Sequence, residues 1–161
     1  MAKRWSKLKK PIEDLFVQGL PLQIHCTEIR TTPRNEGSLA EVLGVFTIRL
    51  GKEIIWKFPR QFVNEETIYP DGGNPYSFGV RDLNELLRDY LDAPKNALLK
   101  KEFSRDYFGM TNILKSADRR IGLERLLQHF KNCEQNSVIK VLSVRRARQN
   151  DSSNANRGPL R

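Results

Sequence analysis

A chain of 161 residues that is 39% hydrophobic and 29% charged fits one soluble globular domain long enough to bury a core. No apolar run approaches the roughly 18 residues of a membrane span, and the basic start MAKRWSKLKK leads to Glu13 and Asp14 rather than an apolar leader, so neither a membrane protein nor a secreted one is expected. The net charge of +9 divides unevenly: residues 1–10 carry +5, residues 131–161 carry +5, and residues 11–130 carry −1. The basicity that would otherwise signal nucleic acid therefore sits at the two ends of a near-neutral body.

In chain order, the spacing first predicts an amphipathic helix over 5–17, where Trp5, Leu8, Ile12, Leu15 and Phe16 recur three and four apart. Ser6 is its candidate N-cap, which leaves Pro11 inside the helix; the alternative start places Pro11 at the first helical position. Gly19 and Pro21 end the element on either reading. From Leu22 the period falls to two. Leu22, Ile24 and Cys26 share one face of a strand over 22–30, with Gln23, His25 and Thr27 on the other. After the turn-rich TTPRNEGS of 31–38, LGVFTIRL at 43–50 is β-branched and aromatic, and Gly51-Lys52 permits a tight reversal into EIIWKF at 53–58. A three-stranded antiparallel meander follows, one face packed on helices.

Pro59 closes the third strand. The aperiodic NEETIYPDGGNPYSFG of 64–79 reads as a surface crossover, with Tyr69, Tyr76 and Phe78 a candidate loop surface. Leu83, Leu86, Leu87, Tyr90 and Leu91 then predict a helix over 81–91 with Asp82 as candidate N-cap. Asp92-Ala93-Pro94 stops it and opens another, whose buried side is Leu98, Leu99 and Phe103. The best helical periodicity lies in 107–130, read as two consecutive helical pieces with Ile113, Ala117, Ile121, Leu123, Leu127 and Phe130 along one apolar stripe. Over 137–148, Val138, Val141, Leu142 and Arg145 fit a helix, whereas Val-Ile-Lys-Val alone would suit a strand. The basic residues near its end match a helix C-terminus and its dipole, which favours helix. From Gln149 the sequence QNDSSNANRGPLR has no apolar cluster, so 149–161 is expected to be a disordered tail on a 1–148 domain.

The sequence contains no P-loop, GxGxxG, GxSxG or HExxH, and no HxE with a CxxC. Cys26 and Cys133 are the only cysteines, far apart, and read as free packed thiols in a reducing cytoplasm. His25 and Cys26 are neighbours on a strand and point to opposite sides, which makes neither a zinc site nor a thiolate–base pair. His129 suits a helix C-terminus. No catalytic residue, metal ligand or cofactor is assigned.

The richest charged group is Asp118, Arg119, Arg120, Glu124 and Arg125. Its simpler reading is a solvated helix face on which Arg120 pairs with Glu124, while Gly122 leaves room for another backbone. Its functional reading makes Arg119, Arg120 and Arg125 the contacts for a partner or for an anion, phosphate or carboxylate. A helix-turn-helix bent at Gly109 or Gly122 would instead offer Arg119, Arg120, Arg125 and Gln128 to DNA, although the acids beside them weaken that arrangement.

Five segments, WSKLKK (5–10), HCTEIR (25–30), KEIIWKFP (52–59), ILKSADRRIGLERL (113–126) and VIKVLSVRR (138–146), resemble a family of small uncharacterised bacterial proteins, some carried on mobile elements such as integron gene cassettes. The resemblance covers most of the chain and implies a bacterial, cytoplasmic protein. It brings no catalytic residue and no cofactor with it.

The expected fold is therefore α+β: an N-terminal helix, a three-stranded antiparallel meander, then about four helices packed on one face. The expected function is a non-catalytic accessory protein that binds a protein partner or a second copy of itself. Weak, non-specific association with nucleic acid through the basic ends is the alternative, and an enzyme site near the 64–79 loop is the second alternative.

Overall fold

The computed structural model describes residues 5–30, 42–58, 80–104, 106 and 109–155. Tyr69, Tyr76 and Phe78 of the expected loop surface lie outside the described residues, as does the 31–38 turn region. Three strands, β1 (Leu22–Arg30), β2 (Val42–Leu50) and β3 (Glu53–Phe58), form the antiparallel meander β1-β2-β3. Alternation decides which side faces inward. Leu22, Ile24, Phe46, Ile48, Trp56 and Phe58 are buried, whereas Gln23, Thr27, Arg49 and Lys57 are exposed. Phe46 and Phe58 are cross-strand partners with ring centroids 6.4 Å apart, and Trp56 lies 6.2 Å from Phe58.

The β2–β3 hairpin turns on Gly51 and Lys52 between the paired Leu50 and Glu53, with Gly51 at φ 62°, a left-handed conformation in which a side chain would be strained. A bulge between Ile48 and Arg49 lets β3 carry one extra residue. The outer edge of β1 is not left bare, because Glu13 Oε1 accepts a hydrogen bond of 3.0 Å from the Ile24 amide.

Helix α1 (Trp5–Glu13) packs on β1 and on α2 (Val80–Asp92). It contains Pro11 and stops four residues short of the expected Val17. Proline removes one ladder donor, and the chain then tightens through Leu15 N–H to Ile12 and Phe16 N–H to Glu13, both 3.0 Å. Leu8 and Ile12 are its buried pair. Helix α2 starts earlier than expected, so Asp82 sits within the first turn rather than capping it.

No helix follows Pro94. Residues 94–101 form turns in which Leu98 N–H bonds Pro94 and Lys101 N–H bonds Ala97, still burying Leu98 and Leu99. The Leu99 and Lys101 carbonyls of this turn region accept from the Lys115 ammonium.

The 107–130 stretch does hold two helices, α3 (Met110–Ala117) and α4 (Leu123–His129). Ile113, Ala117 and Ile121 are fully buried, but on α4 only Leu126 is; Leu123, Leu127 and Phe130 are half-buried. Gly109 N-caps α3 at φ 71°, and the Gln135 side chain fills the space a Cβ there would need. Gly122 has ordinary extended geometry with open space around it, so no other backbone approaches it.

The last element, α5 (Asn136–Ala155), is helical as favoured, and it continues through 149–155 where a disordered tail was expected. Residues 149–153 are exposed. Their helicity extends a helix already nucleated by the buried Val138, Val141 and Leu142, so no apolar cluster of their own is needed. Helix α5 packs on β3, α3 and α4, and the Lys140 ammonium pairs with Glu53 of β3. One hydrophobic cluster includes residues from every described element. Cys26 and Cys133 are half-buried, and no described helix is long and apolar enough to cross a membrane.

Ile121, 1% exposed, belongs to that cluster, whereas the Arg119 side chain is exposed. Ile121→Ala should cost about 2–5 kcal/mol in urea unfolding, and Arg119→Ala should stay within about 0.5 kcal/mol of the parent. An arginine variant as damaging as the isoleucine one would contradict this placement.

Candidate functional site

The three arginines proposed from sequence do not converge. Asp118, expected on a solvated face, is 0% exposed, and α3 ends on it. Its carboxylate is gripped by Arg120, whose Nη2 lies 2.8 Å from Oδ2, whose Nε lies 3.1 Å from both oxygens, and whose backbone N–H donates to Oδ1 at 2.8 Å. The Tyr90 hydroxyl donates to Oδ2 at 2.9 Å. Burial, then Asp118, raises the Tyr90 phenol well above 10.0, which keeps that proton in place. Arg120 thus pairs with Asp118 and not with Glu124, because residues 118–122 form a turn rather than a helix.

Arg119 lines a cleft of about 310 Å³ in which it is outnumbered by the carboxylates of Glu13 and Asp14. Arg125 is exposed on α4. Of the three, Arg120 is thus committed to Asp118, Arg119 has acids beside it and Arg125 is open to solvent. The helix-turn-helix reading loses Arg119 and Arg120 for the same reason, since neither lies on α4.

A different set of polar groups does converge. The 99–103 turn, the start of α3 and the end of α4 enclose a cleft of about 420 Å³ that includes Phe103, Asp106, Thr111, Asn112, Lys115 and His129. Lys115 is only 5% exposed, and its ammonium donates to the carbonyls of Lys101 (2.8 Å) and Leu99 (3.3 Å). Burial lowers its pKa, while Asp106 and Glu102 oppose that shift. The two carbonyl acceptors stabilise the protonated amine.

Asp106 accepts from the Thr111 amide (3.1 and 3.2 Å) and from the Thr111 hydroxyl, which ties it to the first turn of α3. Burial raises its carboxyl above the ordinary value, against the lowering effect of these bonds. His129 sits at the rim, its pKa lowered by partial burial and then by Lys115. Phe103 forms a wall, with the ammonium groups of Lys101 and Lys115 at 5.0 and 5.5 Å from its ring centre.

Sequence reasoning missed Lys115 and Asp106. Lys115 lies between Ile113 and Ala117, and Leu114 and Ser116 beside it are buried as well, so α3 is enclosed almost all round. A lysine in such a helix must reach acceptors, and that pattern was the available signal.

A second feature is apolar. Along α5, Ile139, Leu142, Ser143 and Arg146 recur at helical spacing and face Leu127, Phe130 and Lys131 across a groove of about 340 Å³. Ile139 is 45% exposed within it. On the sheet's outer side, Gln23, Thr27, Arg49 and Lys57 are exposed. Comparison with protein-family models, curated proteins and solved structures finds no match. Any functional reading thus rests on the chain's own geometry.

The raised Asp106 carboxyl has a measurable consequence. The folded protein holds this proton more tightly than the unfolded chain, whose value is near 3.8, so ionising Asp106 lowers stability as pH rises from there through the folded value. Measured against Asp106→Asn, the parent should lose urea-midpoint stability as pH rises above the unfolded value near 3.8. A difference that is constant or grows in the parent's favour over that range would show that the burial effect is not present.

Proposed function

We propose that this chain is a non-catalytic binding protein that receives an apolar, acid-flanked helical segment of a partner protein in the α4–α5 groove. The exposed Ile139 in the lining of an apolar groove carries this reading. Leu127, Phe130 and Leu142 supply the floor, and Lys131 and Arg146 stand at its edges. A partner helix laid into a groove presents apolar anchors at helical spacing, and its acidic flanks complement these two cations. The groove holds one or two side chains, the scale of a hot spot rather than of a whole interface. The resemblance to small bacterial proteins without assigned chemistry is compatible with an accessory role of this kind and supplies no residue to it.

A photo-cross-linking side chain at Ser143, on the groove, should capture a discrete partner in cells that express the chain, and one at Thr27 on the outer sheet face should not. Ile139→Glu should remove the captured product, because it puts a charge among apolar contacts. Capture of a second copy of this chain would replace the partner by self-association. A product indifferent to Ile139→Glu, or none at all, would overturn the docking reading.

A further inference from the structure

The Lys115 cleft carries an inference independent of the groove. Lys115 is a buried cation that forms no ion pair among the described residues. An ammonium has three N–H donors, and two are used by the Leu99 and Lys101 carbonyls. The nearest acids do not supply the third acceptor. Asp106 has its oxygens on Thr111, and Glu102 is exposed.

A buried charge is costly; Asp106 and Glu102 offset part of that cost through space without touching the ammonium, and a bound anion offsets more of it. The cleft's lining sets three lysines, Lys100, Lys101 and Lys115, against two carboxylates, Glu102 and Asp106, with Asn112 as a further donor. Phe103 offers an apolar surface in the same cleft, and it is braced from behind by Tyr90 at 5.5 Å between ring centres. A volume of about 420 Å³ lies within the range of small-molecule sites.

We infer that this cleft binds a small organic oxyanion, a carboxylate or a phosphate ester, whose charged head pairs with Lys115 and whose body lies against Phe103. The ligand binds unchanged, because the Lys115 ammonium is held by two backbone carbonyls and Asp106 is tied to the helix start.

His129 at the rim is a built-in reporter. Lys115 opposes its protonation, and Lys100, Lys101, Glu102 and Asp106 are the other charged groups of the same cleft. An anion bound at Lys115 offsets that repulsion and raises the His129 pKa. His25, the only other histidine, is on the sheet's outer side, where Lys9, Arg49 and Glu13 surround it, so it serves as the control.

The test follows both imidazoles by NMR titration, with inorganic phosphate in one arm and acetate in the other, at constant ionic strength held with sodium chloride. The expected result is a saturable rise in the His129 midpoint with at least one probe, the His25 midpoint staying fixed. The arm that saturates first tells a phosphate ligand from a carboxylate one. Equal shifts of both histidines, a response that never saturates, or no response in either arm would overturn the proposal. The readout does not involve the α4–α5 groove, so its failure and the failure of the docking reading are separate results.

Discussion

The structure depends on the burial of one carboxylate. Asp118 lies where α3 ends, and an acid at a helix C-terminus opposes the helix dipole. It is tolerated because Arg120 clasps it from two residues away and Tyr90 of α2 donates to it. Removing one member of such a buried pair typically costs about 3–5 kcal/mol, a large share of a domain's stability of about 5–15 kcal/mol.

Around this turn the backbone is fully used. The Ala117 carbonyl accepts from Val17, and the Leu15 carbonyl accepts from Arg119, so the exit of α1 is pinned against the end of α3. Arg145 of α5 donates to the carbonyls of Ser116, Asp118 and Ile121, which closes the unsatisfied end of α3 from the other side. Chain segments far apart in sequence, on α1, α2, α3 and α5, thus meet within one turn.

How far the sequence could be read follows from this arrangement. The α1–meander–helices order was legible because alternation at 22–30 and 43–58, and three-to-four spacing in the helices, reflect burial on a single face. The Asp118 turn was not legible, since its partners Tyr90 and Arg145 are 28 and 27 residues away. Local spacing instead suggests an Arg120–Glu124 pair four apart on one helix face. One hint was present: Arg145 continues the Val138, Val141, Leu142 stripe of α5 and is buried with it. It was read as serving the dipole of its own helix and in fact serves that of α3. In place of the helix expected after Pro94 there are turns whose Leu99 and Lys101 carbonyls accept from the distant Lys115.

The two candidate binding features flank the end of α4. His129 faces the polar cleft and the adjacent Phe130 lines the apolar groove, with their rings edge to face at 4.8 Å. Both features draw rigidity from the Asp118 turn, the cleft through Tyr90 and Phe103 and the groove through α5 held by Arg145.

Native-state hydrogen exchange tests the central claim most directly. If the Asp118 turn unites the fold, the Val17 and Arg119 amides should exchange only through global unfolding, in the same slow class as the amides of the central strand β2. In Asp118→Asn those two amides and the β2 amides should lose protection together. Val17 and Arg119 amides that exchange far faster than β2 in the parent protein would contradict the account and reduce the turn to a surface latch.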